Sequence, residues 1–105
     1  MTIKFDVRIT LSAERDIADI WSFIAEDSPG EATQFILKLE RQMTTLERFP
    51  LRCPLIPEND VLGTGYRHFL FGKYRALFRV GEKVVYVLRV IHGSRLLDST
   101  MLETY

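Results

Sequence analysis

Val84-Val85-Tyr86-Val87-Leu88-Arg89-Val90-Ile91 is apolar at odd and even positions alike. A strand with that pattern is buried on both faces and belongs at the centre of a sheet. Upstream of it, residues 74–80 and 66–71 form two more strand-like runs. Gly81-Glu82-Lys83 and Gly72-Lys73 separate the three runs at hairpin lengths. Further upstream, residues 50–65 hold three of the four prolines and two of the six glycines, which marks a loop. Leu51, Leu55, Ile56 and Val61 give that loop apolar surface to bury.

Two helices are predicted ahead of the loop. Ile17, Ile20, Trp21 and Ile24 recur at helical spacing, so residues 13–26 read as an amphipathic helix with Ser12 as its N-cap. Ser28-Pro29-Gly30-Glu31 opens the second, combining a Ser N-cap, Pro at the first helical position and Glu at the third. Its apolar stripe runs through Ala32, Phe35, Leu39, Met43 and Leu46, and Pro50 stops it. The short link between the helices forces an antiparallel hairpin. At the start of the chain, Phe5 to Leu11 alternates apolar and polar, as a half-buried strand does. The order is therefore β-α-α-β-β-β. This is an α+β fold with the helical hairpin packed on one face of a small, mainly antiparallel twisted sheet. Trp21 and Phe35 are expected between hairpin and sheet.

Composition fits one domain over residues 1–105, with 47% hydrophobic residues excluding general disorder. No apolar run approaches the roughly 18–20 residues of a membrane span, and Met1 to Asp6 lacks a signal-peptide layout. Cys53 is the only cysteine, which excludes an intrachain disulfide and makes a reduced, cytoplasmic setting the expectation. The formal net charge is zero, yet residues 66–95 carry seven basic side chains against Glu82 alone, whereas residues 1–49 carry six basic and nine acidic ones. Such segregation suits an acidic or polyanionic partner, and the competing reading is a solvated sheet face. Five of the seven are arginines, suited to bidentate contacts with phosphate or carboxylate.

Few residues offer chemistry. Cys53, His68 and His92 lack zinc-site spacing, so no metal and no cofactor is expected. Cys53 beside Pro54 reads as a packed small hydrophobe. On strand 74–80, Tyr74, Ala76, Phe78 and Val80 form the core side, leaving Arg75 and Arg79 on the open face. Arg67 alternates with Phe69, and Arg89 with Val87 and Ile91. His92 and Arg95 fall at the exit of the last strand, where functional groups are often exposed.

The pattern resembles the RelE/ParE family of bacterial toxin–antitoxin toxins, also called plasmid-stabilisation proteins. The resemblance rests on Ala13-x-x-Asp16-Ile17, Ile20-Trp21-Ser22-Phe23-Ile24, Leu46-x-x-Phe49-Pro50, Gly72-Lys73-Tyr74-Arg75 and Val87-Leu88-Arg89-Val90-Ile91-His92-Gly93-Ser94-Arg95 in that order. It implies a cognate antitoxin as partner, and one of two activities. RelE-type members are metal-free endonucleases that cleave mRNA in the ribosome, for which His92, Arg67 and Arg75 would be the catalytic candidates. ParE-type members bind and poison DNA gyrase, for which Arg67, Arg75, Arg79, Arg89 and Arg95 would be the target-binding candidates.

The chain departs from the nuclease pattern. Gly93-Ser94-Arg95 follows His92 where the nucleases usually carry a Tyr or a His-Tyr pair, and Arg48 and Arg52 are the only basic groups between residues 42 and 66. The His-Gly-x-Arg ending resembles the gyrase-directed branch, which is the reading favoured here. A non-toxic domain with a basic face that binds nucleic acid is a further alternative.

Overall fold

The computed structural model describes residues 4–102. Strand β1 (Asp6–Ile9) is followed by helices α1 (Leu11–Ala25) and α2 (Pro29–Thr44), the single turn α3 (Asn59–Leu62), and strands β2 (Arg67–Phe71), β3 (Tyr74–Val80) and β4 (Val84–His92). The sheet order is β1-β4-β3-β2. β1 runs parallel to β4, and the other neighbours are antiparallel. β4 thus lies inside the sheet, as its two-sided apolar pattern requires.

The first helix starts earlier than expected. Thr10, not Ser12, is its N-cap, and the Thr10 hydroxyl accepts from the Ala13 amide at 3.2 Å. The same hydroxyl donates to the Leu88 carbonyl at 3.0 Å, which fixes the cap to β4 and ends β1 at Ile9. Ser12 is buried in the first turn instead. α2 begins as predicted, with the Ser28 hydroxyl accepting from the Glu31 amide and Pro29 in the first turn. It stops at Thr44, before Pro50, and two 3-10 turns (Thr45–Glu47 and Pro50–Arg52) carry the chain onward. Gly63, at φ +67°, closes α3 in the left-handed conformation.

The helix-side core packs Ile20, Leu39, Met43 and Leu46 against Phe69, Ala76, Phe78, Val85, Val87 and Val90. Phe35 meets Phe71 and Tyr74 edge-on at 5.0 and 5.8 Å, between hairpin and sheet as expected. Trp21 does not lie there. It is 39% exposed, and its indole N–H reaches the Thr33 hydroxyl on the neighbouring helix at 3.4 Å. Of that helical stripe only Ile20 is buried.

Two further expectations are corrected on the other face. A second core of Ile56, Leu77, Ile91, Leu97 and Met101 lies there, so loop and tail cover part of the face read as open. Strict alternation also fails in β4, because a bulge sets Leu77 opposite Arg89 and Phe78 opposite Val87. The extra residue sends Val87 to the helix side and Ile91 to the other, although the two were read as sharing a face.

Phe78→Ala should therefore cost about 3–5 kcal/mol, the range for large core truncations. Trp21→Ala, at a half-wet site, should cost less than about 2 kcal/mol. Urea unfolding of both variants checks the order.

Candidate functional site

Arg75 points away from the helices and is only 4% exposed, which corrects its placement on an open face. Its guanidinium forms a two-pronged ion pair with Glu58, itself 7% exposed. It also donates to the Arg95 carbonyl at 2.7 Å, and the Leu97 amide donates to Glu58 at 2.9 Å. Hydrogen bonding to Arg75, supported by the Leu97 amide, outweighs burial and pulls the Glu58 carboxyl down to about 2. Arg75 Nη1 also donates to His68 Nδ1 at 3.2 Å, so that ring carries its proton on Nε2. Burial first, and then the charge of Arg75, push the His68 pKa below its ordinary value.

Arg89 is equally committed. It binds Asp16 of α1 through two bonds of 2.7 and 2.8 Å and donates to the Met101 carbonyl at 2.9 Å. Asp16 also accepts from the Val90 amide at 2.9 Å. β1 ends opposite Val87, so beyond that point β4 has no strand partner on its β1 side, although β3 continues along the other. Thr10 and Asp16 satisfy its exposed edge instead. Arg67 donates to the carbonyls of Cys53 (2.6 Å) and Leu51 (3.3 Å), pinning the loop to β2. Arg79 lies over the Tyr86 ring, 4.3 Å from its centroid.

Arg95 and His92 are exposed at the exit of β4. His92 Nδ1 accepts from the Ser94 amide at 3.1 Å and faces the Ser94 hydroxyl at 2.7 Å, and the ring packs edge-on against Tyr74. The three catalytic candidates do not converge. His92 pairs with Tyr74 on the helix side of β3, whereas Arg75 lies on the opposite face. Arg67 pairs with Phe78, four residues along β3 from Tyr74, which is about 13 Å at strand rise. Among the described residues no group of three or more His, Cys, Asp or Glu could hold a metal ion. Burial raises the Cys53 thiol pKa. No described helix is long and apolar enough to cross a membrane.

Residues 7–97 match the family model of the ParE toxin of type II toxin–antitoxin systems. The chain belongs to this ParE toxin family. No curated protein matches it. Its fold is similar to that of the chromosomal ParDE toxin–antitoxin system from P. aeruginosa, with a TM-score of 0.70, 20% identity, and coverage of 85% of this chain and 96% of that one. It is also similar to the RelBE2 toxin–antitoxin complex from Mycobacterium tuberculosis, with a TM-score of 0.58, 29% identity, and coverage of 86% and 99%.

Within this ParE-family chain, Asp16, Arg75 and Arg89, all from the segments that carried the resemblance, hold structure together. Glu58 and the role of Asp16 were missed in the sequence. Glu58 carried a signal, as an acid following Leu55 and Ile56 in a loop that buries Ile56.

The Glu58 pKa lies below its ordinary value of 4.5, so its contribution to stability is full above that pH and declines as pH falls toward about 2. The depressed His68 adds to the loss below about its ordinary 6.5. Melting temperature should fall from pH 7 to pH 3. Glu58→Leu or Arg75→Met alone, each stranding a buried charge, should cost about 3–5 kcal/mol, and the double variant should recover most of that loss. Thermal melts across pH measure both effects.

Proposed function

We propose that this chain is a toxin that binds and inhibits DNA gyrase, is neutralised by a cognate antitoxin, and does not cut RNA. The observation that carries the reading is the separation of His92, Arg67 and Arg75. A metal-free nuclease needs a proton-transfer group and cationic transition-state donors around one scissile bond. Here the alternation of β3 divides His92 from Arg75, while Arg67 is tied to loop carbonyls. Membership in the ParE family supports the same branch.

A binder requires exposed groups rather than an assembled reaction centre. Lys73, His92 and Arg95 are exposed at one end of the sheet, where the Gly93 amide donates to the Lys73 carbonyl at 2.7 Å and brings the two turns together. We assign target recognition to this end, with Arg95 its main cation. Arg67, Arg75 and Arg89 act as positioning residues.

Purified protein should inhibit gyrase supercoiling more strongly at low salt than at high salt. K73E/R95E should weaken that inhibition at least tenfold with melting unchanged. Programmed ribosomes should retain intact mRNA. Cleavage of mRNA that His92→Ala abolishes, with gyrase unaffected, would replace this reading with the RelE-like one.

A further inference from the structure

The register sets Arg8 on β1, Tyr86 on β4 and Arg79 on β3 side by side across three strands. With Ile9 and Thr10 they line a cleft of about 380 Å³. The loop and tail that cover the other core leave this end of the face open, since their apolar residues pack around Leu77 and Ile91. Arg79 differs from Arg67, Arg75 and Arg89 in its partners. Its guanidinium rests on the Tyr86 ring and has no carboxylate or carbonyl partner among the described residues, and its buried Nε, like that of Arg75, lacks an acceptor there. Stacking on an aromatic face fixes the guanidinium plane while leaving outward N–H donors for an anion. Arg8 uses its Nε on Asp6, at 2.9 Å, and keeps its remaining donors.

We propose that this cleft is a receptor for a carboxylate side chain, carried by a segment of the antitoxin in which acidic and apolar residues are neighbours. The inference rests on the antitoxin reading given above and names the chemistry of one of its contacts. Ile9, Thr10 and the Tyr86 ring supply apolar surface, and the two guanidinium groups flank it. A nucleic-acid backbone fits less well. It needs a run of free cations, whereas this cleft offers two, one already beside Asp6. A carboxylate meets a planar guanidinium through paired, charge-assisted hydrogen bonds, the strongest class such a site can form.

The test has two arms. Wild type, R79E and R79K, each with melting temperature recorded, are titrated with the small protein encoded by the neighbouring reading frame. R79E should weaken binding at least tenfold and R79K less, because lysine keeps the charge and loses the planar fork. Changing one acidic residue of that protein to lysine should restore affinity for R79E. In the second arm, acetyl-Leu-Glu-Leu-amide and inorganic phosphate are titrated separately by NMR. The peptide should shift Tyr86 and the Arg8 and Arg79 side chains in wild type and leave R79E unshifted. Peptide binding at the cleft without binding of any neighbouring protein would overturn the antitoxin reading and leave a carboxylate site. Full affinity of R79E for the antitoxin would overturn the inference. So would a cleft silent to the peptide, or one that prefers phosphate.

Discussion

Glu58 and Arg75, withdrawn from water together, join three parts of the chain that are far apart in sequence. The carboxylate comes from the proline-rich loop and the guanidinium from the third strand, and both also bind the main chain at Arg95 and Leu97. Such a pair is a poor source of net stability, because desolvation offsets most of the attraction. Its effect is on specificity, since an unpaired member of the pair would be strongly unfavourable where it lies. Loop, strand and tail therefore have one low-energy arrangement, and that arrangement closes the second core around Leu77 and Ile91.

The same constraint bears on what the protein can do. A buried arginine whose two terminal nitrogens are taken by Glu58, His68 and a carbonyl, with only its buried Nε unpartnered among the described residues, has little left for a substrate. Arg89 and Arg67 are engaged in the same manner, one by Asp16 and the other by the loop. The positive block in the sequence is thus divided by the fold. Part of it ties the sheet to its coverings, and the remainder, Arg79 on one face, Arg95 with Lys73 at one end and Lys83 in the turn before β4, is left to meet partners. That division suits a protein acting by docking.

Elements and their order were legible because each has a local cause. Ser28 with Pro29 and Glu31 supplies the cap and first turn of a helix locally, and the short, β-branched, doubly apolar β4 between turn residues suits the inside of a sheet. Thr10 and Ser12 are both competent caps, and the choice between them was made by a bond from Thr10 to Leu88, 78 residues away. The bulge at Leu77 and Phe78 leaves no mark in the alternation, so Val87, Arg89 and Ile91 were assigned to one face. Arg75 was misplaced for a related reason. Alternation gave its face correctly, but it carries no information about whether a loop and a tail fold over that face. Trp21 shows the same limit on a helix, where spacing marks a stripe but not its buried edge.

The separation of structural from recognising cations is tested most directly with E58L/R75M, in which the buried pair is replaced by apolar side chains. Supercoiling inhibition is measured per folded molecule, with the folded fraction taken from circular dichroism of the same sample. Inhibition equal to wild type is predicted, because Arg75 positions the loop and tail and touches no target. A well-folded E58L/R75M that no longer inhibits gyrase, while wild type does, would contradict the account and return Arg75 to the recognition surface.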